Sequence, residues 1–225
     1  MKFLRPDAYP VNALMRFLLR TACRLDAKAF HRIPAKGPAI IVTNHINFLE
    51  VPLLAAFLFP RPLAAMSKKE NLTNPGYAYF ANLWKAIPID RGAVDTEAFK
   101  RCLSWVEDGG MLGLAPEGTR SKTGVLGLGK AGVAVIAHRA GVPIWPMAHW
   151  GGENFWPNLK RFKRTPVTVR VGKPFIIEPQ GSMTKTVRQE VADEIMTRIA
   201  ILMPEKYRGP YAQTCLLPPK HLKFI

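Results

Sequence analysis

The feature that most constrains the fold of this sequence is the alternation of short apolar runs with longer helical segments between residues 39 and 203. Short apolar runs of this kind are typical of strands that are buried on both faces of a sheet. Strands are predicted at 39–44, 63–66, 86–90, 111–115, 142–148 and 167–172, and helices at 51–59, 75–84, 96–108, 130–141 and 184–203. Strands that alternate with helices through short connections predict an α/β fold with a mainly parallel sheet flanked by helices.

Two segments flank this alternating region. Residues 1–34 are predicted to form an N-terminal helical segment, because the stretch 11–30 sets apolar side chains among arginines in the pattern of a basic amphipathic helix. Such a helix can lie in the headgroup layer of a membrane or pack on its own domain, and the pattern fits both. We expect residues 35–203 to form the main domain and residues 204–225, which are rich in proline, to form an irregular tail.

The charge of the chain limits the partners that it can bind. Lys and Arg number 32 against 16 Asp and Glu in 225 residues, which gives a formal net charge of +16. Such a surface attracts nucleic acid, phosphorylated ligands or an anionic lipid leaflet, and composition alone does not select among them. No run approaches the ~20 apolar residues of a membrane-spanning helix, so we expect the chain to lie on a membrane rather than to cross it.

The cysteines and most of the histidines point away from metal binding. The three cysteines are far apart and form no Cys-x-x-Cys pair, which argues against a zinc site or a disulfide framework and favours a reduced cytosolic setting. Arginines interrupt the N-terminal apolar run, so no signal peptide is predicted. Four histidines lack partners at metal-ligand spacing, and we interpret them as structural: His31, His138, His149 and His221.

Ligands of open α/β sheets bind beyond the carboxyl ends of the strands, and His45 and Glu50 follow the first predicted strand. Pro52 lacks an N–H and belongs in the first turn of a helix, so that helix should begin near residue 49 or 50 and leave His45 in the loop. A histidine held by a carboxylate is a common general base for a hydroxyl group. The alternative is that Glu50 only caps the helix together with Asn47.

Two further loops at this edge of the sheet each carry an arginine. Arg91 follows the third predicted strand, and Arg120 lies in the sequence Pro116-Glu117-Gly118-Thr119-Arg120-Ser121 after the fourth. Arginine can hold a phosphate through two parallel N–H groups, and glycine lets the backbone approach an anion closely. The sequence therefore predicts a phosphate pocket beside His45, and the alternative is that both arginines are solvated surface residues.

Four motifs in this sequence resemble, in order and spacing, the motifs of the glycerolipid acyltransferase family. They are His45-x4-Glu50, Ile89-Asp90-Arg91, Pro116 to Ser121, and Val142-Pro143-Ile144-Trp145-Pro146. The resemblance spans residues 39–148, about half of the chain. Two positions depart from the family pattern: Glu50 stands where the family usually has Asp, and Pro88 stands where an aromatic or apolar residue is usual.

The resemblance implies a role for each matching residue. His45 would remove the proton from an acceptor hydroxyl, with Glu50 as its partner. The remaining residues would contact the substrates: Arg91 and Arg120 the phosphate, Glu117, Gly118 and Thr119 the acceptor site, and Pro143 the acyl-donor side.

The glycine-rich stretch at residues 127–132 matches the pattern G-x-G-x-x-G, but we do not predict a nucleotide site there. The polar segment 120–124 precedes it instead of a strand, and Ala131 stands where a P-loop needs Ser or Thr. We expect these glycines to let the chain bend over the acceptor site, with Lys130 adding positive charge.

The resemblance therefore predicts an enzyme on the cytoplasmic face of a membrane, as a peripheral protein. It would move a fatty acyl group from acyl-CoA or acyl carrier protein to the free hydroxyl of a lysophospholipid such as lysophosphatidate, with no metal and no bound cofactor. Its partners would be these substrates and an anionic membrane surface, and no nucleic acid is expected. Two alternatives stay open: another lysolipid or glycolipid acceptor, and a non-catalytic module that binds membrane or nucleic acid through basic segments such as 160–164.

Overall fold

The computed structural model describes residues 5–90, 95–121, 123–179, 181–214 and 217–225. Within these ranges the strands are β1 (Cys23–Asp26), β2 (Ala39–Thr43), β3 (Leu63–Lys68), β4 (Ile87–Ile89), β5 (Met111–Leu114), β6 (Ile144–Trp150), β7 (Thr165–Val171), β8 (Phe175–Ile177) and β9 (Leu222–Phe224). The helices are α1 (Ala8–Ala22), α2 (Glu50–Leu58), α3 (Pro75–Leu83), α4 (Thr96–Glu107), α5 (Gly132–Ala140), α6 (Phe155–Lys160) and α7 (Lys185–Ile201). Short 3₁₀ turns lie at Lys28–Arg32, Lys69–Thr73, Gly152–Asn154, Glu205–Tyr207 and Gly209–Tyr211.

Strand β2 lies at the centre of the sheet, whose strand order is β1-β7-β6-β2-β5-β3-β4. Every residue of β2 is buried, as expected for an apolar strand that is covered on both faces. It pairs in parallel with β5 and β6, and the pairs β3–β5, β3–β4 and β1–β7 are also parallel. Strand β7 runs antiparallel to β6, and β8 pairs antiparallel with β6 and β9. The predicted α/β fold with a mainly parallel sheet is thus confirmed.

Hydrophobic cores lie on both faces of the sheet. On one face α4, α5 and α7 cover the strands, and Val191, Ile195 and Ile199 of α7 are fully buried at the spacing of one helix face. On the other face α1 and α2 cover the strands, with Leu53 and Leu54 of α2 among the buried residues. Burying one such side chain stabilises the fold by about 1.5–3 kcal/mol.

Several helices begin at polar residues that satisfy free backbone N–H groups. Asn74 Oδ1 accepts a hydrogen bond from the Tyr77 N–H at 3.0 Å, which starts α3 just before Pro75. Asp95 accepts from the Ala98 N–H at 2.9 Å at the start of α4, and Thr184 starts α7 in the same way. These capping residues explain why the helix starts were predictable.

The stretch 11–30 had predicted a helix along its whole length, but only its first part is helical. Helix α1 ends at Ala22, and the next four residues form β1, which pairs with β7 and completes the edge of the sheet. The chain changes from helix to strand at Cys23 because its backbone pairs there with the backbone of β7. Helix α1 packs on α2, where Arg16 Nε donates to the Ala56 carbonyl at 3.1 Å. In the described part of the chain no helix has both the length and the apolarity to cross a bilayer.

The prediction of an irregular tail at residues 204–225 is wrong for much of that segment. Two 3₁₀ turns lead to Tyr211, which is buried, and β9 pairs with β8. The Tyr211 hydroxyl donates to Asp193 Oδ1 at 2.8 Å and accepts from the Gly129 N–H at 3.0 Å. In the described part of the tail, Tyr211 and Leu222 are buried in the core, and this burial holds the segment against the domain.

The first prediction concerns the attachment of β8 and β9 to the core. Phe175 of β8 is fully buried, and its ring meets that of Phe224 edge-to-face, with 6.3 Å between centroids. Phe175→Ala leaves a cavity, so the free energy of unfolding in urea should fall by about 3–5 kcal/mol. The control Phe224→Ala removes a ring that is 44% exposed and should cost about 1 kcal/mol. Equal losses in the two variants would contradict this placement of β8.

Candidate active site

Residues from the loops after β2 and β5 meet at the carboxyl end of the sheet, around two adjoining cavities. His45 follows β2, Glu117 follows β5, and β2 and β5 are neighbours in the sheet. The larger cavity, of about 780 Å³, lies among α1, α2, α3 and α6, and the smaller, of about 270 Å³, lies between the sheet and helices α4 and α5. His45 and Glu50 line both cavities.

The turn between β2 and α2 fixes the position of Glu50. Helix α2 begins at Glu50, as Pro52 predicted. Asn47 shapes the turn before it: its Oδ1 accepts from the Leu49 N–H at 2.9 Å, and its Nδ2 donates to the Gly152 carbonyl. The Glu50 side chain points into the protein towards His45 instead of forming a capping box with Asn47.

Glu50 and His45 form a buried pair. Glu50 Oε1 directly contacts His45 Nδ1, and the two side chains are 5% and 15% exposed. A carboxylate at Nδ1 favours the tautomer in which that nitrogen carries the proton, so the lone pair of Nε2 is left for another group. Burial on its own would raise the pKa of Glu50, but hydrogen bonding from His149 and His45 outweighs burial and lowers that pKa below its ordinary value.

The second imidazole at this carboxylate was missed by sequence reasoning, which treated His149 as structural. Its side chain is fully buried, and its Nε2 lies 3.5 Å from Glu50 Oε2 and 3.1 Å from the Asn44 carbonyl oxygen. His149 directly follows the predicted strand 142–148, at the same sheet edge as His45. The rule that ligands lie beyond the carboxyl ends of strands is the signal that would have found it.

Glu117 joins two segments of the site through their backbones. Its Oε1 accepts from the His45 N–H at 2.8 Å and its Oε2 from the Gly127 N–H at 2.9 Å. Burial raises the pKa of Glu117 above its ordinary value, although the N–H groups of Gly127 and His45 oppose that rise. Because both oxygens bind backbone, Glu117 can shape the site by fixing the His45 loop.

The predicted cationic residues reach the cavities from different sides. Arg120 is exposed and lines the larger cavity together with His45, whereas Lys130 and Gly118 line the smaller one. Gly118 has a φ of +66°, a conformation that favours glycine, and a Cβ there would lie 3.1 Å from Lys130 Nζ. Thr119 is exposed and lines neither of these cavities.

Of the remaining predicted site residues, one is not described by the structure and one lies elsewhere in the sheet. Arg91 lies outside the described residues, although its neighbour Asp90 lines the smaller cavity. Pro143 precedes β6, and its carbonyl accepts from the Ile40 N–H at 3.0 Å, at the amino end of β2. It therefore lies at the opposite edge of the sheet from His45, and the geometry gives no support to its predicted place on the acyl-donor side.

Several known proteins are similar to this chain in sequence. A 1-acyl-sn-glycerol-3-phosphate acyltransferase of Pseudomonas aeruginosa is 27% identical over 187 residues, which cover 76% of this chain and 71% of that protein. The protein of that name from Bacillus subtilis is 26% identical over 142 residues, covering 63% of this chain and 69% of that protein. A chloroplastic protein of that name from Brassica napus is 25% identical over 177 residues. That match covers 76% of this chain and 51% of the Brassica protein.

A solved structure and a family model complete the comparison. The 1-acyl-sn-glycerophosphate (LPA) acyltransferase PlsC from Thermotoga maritima shares the fold, with a TM-score of 0.65 at 22% identity over 84% of this chain and 76% of that one. The model of the family described as Acyltransferase matches residues 24–150, more than half of the chain. That match includes the loops that carry His45, Glu50, Glu117 and Arg120, and the chain therefore belongs to the acyltransferase family.

Proposed function

We propose that this protein is a membrane-surface O-acyltransferase that transfers a fatty acyl group from a thioester to the free hydroxyl of 1-acylglycerol-3-phosphate. The observation that carries the proposal is the His45–Glu50 pair at the place where the two cavities adjoin. One cavity can hold each substrate while both reach the same imidazole. The names of the similar proteins support this choice of acceptor.

The proposed reaction uses His45 as a general base. The acceptor hydroxyl gives its proton to His45 Nε2 as its oxygen attacks the thioester carbonyl carbon, and Glu50 stabilises the imidazolium that forms. The C–S bond then breaks, and the imidazolium returns the proton to the thiolate. This sequence needs no acyl-enzyme intermediate, and it employs no metal and no redox cofactor.

Arg120 is the described residue that we assign to the acceptor phosphate. It lines the same cavity as His45, and a guanidinium can hold two phosphate oxygens at once. Lys130, on the smaller cavity, adds positive charge on the other side of His45. We keep Arg91 as a second phosphate contact on the strength of its motif.

The donor thioester is carried by CoA or by acyl carrier protein. Because both carriers are cytoplasmic, we propose that the enzyme works on the cytoplasmic face of the membrane that holds its lysolipid. The charge of +16 suits an anionic leaflet, since each Lys or Arg near such a surface contributes about 1 kcal/mol of attraction.

The surface that we assign to the membrane consists of α1 and α6 with the turn after α6. Phe17 of α1 is 62% exposed, Trp156 of α6 is 57% exposed, and Phe162 is fully exposed. Arg164 Nη2 joins the two elements by donating to the Arg20 and Cys23 carbonyls at 2.6 and 2.7 Å. Trp156 and Phe162 also line the larger cavity, so this surface borders the proposed lipid entrance.

The second prediction tests the base. Purified protein should form phosphatidate from lysophosphatidate and labelled acyl-CoA or acyl carrier protein, and His45→Ala should lower kcat by about 10²–10⁴-fold while circular dichroism stays unchanged. The control His138→Ala removes an exposed histidine of α5 and should keep full activity. Undiminished turnover by folded His45→Ala would refute the mechanism.

A panel of lysolipids and glycolipids identifies the acceptor, and a product from another acceptor alone would refute the assignment to 1-acylglycerol-3-phosphate.

The third prediction tests the phosphate contact. Loss of a hydrogen-bonded charge costs about 1.5–3 kcal/mol, so Arg120→Ala should raise the KM for lysophosphatidate about tenfold or more and leave the donor KM unchanged. Arg101→Ala, which removes an exposed arginine of α4 paired with Glu97, is the control and should behave as wild type. An unchanged acceptor KM in Arg120→Ala would rule out this contact.

The fourth prediction tests the membrane surface. In flotation with vesicles that contain anionic phospholipid, the double variant Phe17→Ser/Phe162→Ser should bind at least about tenfold more weakly, because two apolar anchors are lost. The control Ile201→Ser changes a 41% exposed side chain of α7, on the other face of the sheet, and should bind normally. Equal losses in both proteins, or binding that does not weaken in high salt, would argue against this surface.

A further inference from the structure

Glu50 contacts an imidazole through each of its carboxylate oxygens. Oε1 contacts His45 Nδ1, and Oε2 lies 3.5 Å from His149 Nε2, within ion-pair distance but without a hydrogen bond to any described residue. His45 lines both cavities, whereas His149 lines neither and is fully buried. The carboxylate thus lies between an imidazole that can reach substrate and one that cannot.

The contacts of His149 fix which of its nitrogens carries the proton. Nε2 faces the Asn44 carbonyl and the Glu50 carboxylate, and both of these groups only accept hydrogen bonds, so Nε2 must be the donor. Nδ1 is buried and has no hydrogen-bond partner among the described residues, so a second proton there would be unpaired. The arrangement places a proton on Nε2 and offers Nδ1 no acceptor among the described residues.

Hydrogen bonds to its backbone hold residue 149 in place independently of the imidazole side chain. Asn44 Nδ2 donates to the His149 carbonyl at 2.8 Å, and Asn44 Oδ1 accepts from the His149 N–H at 2.9 Å. These two bonds tie the end of β6 to the end of β2. They use only backbone atoms of residue 149, so substitution of its side chain leaves them intact.

We propose that His149 is a positioning residue for acyl transfer, which holds the Glu50 carboxylate in the orientation that supports His45. This inference rests on the proposed function, because it assigns His149 to the reaction of the same site. The Nε2–H of His149, 3.5 Å from Oε2, stabilises the buried negative charge and favours the orientation in which Oε1 faces His45 Nδ1.

The other charged groups near His45, Glu50 and His149 belong to other parts of the chain. None of them is described in contact with the Glu50 carboxylate. Glu117 binds the His45 backbone, Arg120 lines the larger cavity, and Lys130 lines the smaller one. The contribution of His149 can therefore be isolated by changing that side chain alone.

The fifth prediction compares two substitutions of His149. His149→Leu removes the N–H that faces the carboxylate and should lower kcat about tenfold, with both KM values within about threefold of wild type. His149→Gln restores an N–H donor and should recover kcat to within about threefold. The control Met147→Leu, at a buried position on the same face of β6, should keep wild-type kcat. Wild-type kcat in His149→Leu, or equal losses in the Leu and Gln variants, would overturn the proposal.

A double-substitution test separates positioning from general damage. Once the base is removed by His45→Ala, adding His149→Leu should cause no further loss of kcat, because His149 acts through Glu50 on His45. A further tenfold loss in the double variant would show that His149 acts by another route and would overturn the proposal.

A direct measurement of which His149 nitrogen carries the proton does not depend on activity. In ¹⁵N-histidine NMR of the full chain, His149, assigned by its absence in His149→Gln, should carry its proton on Nε2 under the conditions of the activity assay. Its ring signals should shift in Glu50→Gln. A proton on Nδ1, or signals insensitive to Glu50→Gln, would overturn the inference. If wild-type protein acylates no acceptor, the proposed function fails, and the NMR result still shows whether His149 donates to Glu50.

Discussion

Glu50 carries a carboxylate into the interior of the protein, and the surrounding structure is arranged to keep that charge there. A buried ion costs several kcal/mol unless neighbouring groups compensate for lost water. Here β2 and the loop after it supply His45, and β6 supplies His149, so two neighbouring strands provide the compensation. The pKa of Glu50 is lowered because both imidazoles favour its charged form. The parallel order of β2 and β6 is therefore a condition of the site, because it places both imidazoles at one edge.

Much of this architecture could be predicted from local sequence. Pro52 fixed the start of α2, and with it the loop position of His45, because a missing N–H restricts where a helix can begin. The buried strands β2 and β5 were predictable because apolar runs of that length are covered on both faces. The short edge strands β1 and β9 were not, since their backbones become strands only through pairing with β7 and β8.

The candidate site shows the same division between local and distant information. The pairing of His45 with Glu50 could be inferred because the two lie five residues apart on either side of one turn. The role proposed for His149 could not, because its approach to Glu50 depends on the register of β6 against β2. Pro143 is the opposite case. It lies in one of the four motifs, but it precedes β6, and only the far end of that strand reaches the site.

The attachment of the C-terminal segment to the loop of residues 124–130 has a consequence for how the enzyme matures. The Leu126 N–H donates to the Tyr207 carbonyl at 2.9 Å, and the Gly129 N–H donates to the hydroxyl of Tyr211, 82 positions further along the chain. Between these two bonds, the Gly127 N–H holds the Glu117 carboxylate that also binds the His45 backbone. During synthesis on a ribosome, the bonds to residues 207 and 211 cannot form until those residues have emerged. A nascent chain would thus complete its central strands before these two bonds could stabilise the loop that holds Glu117.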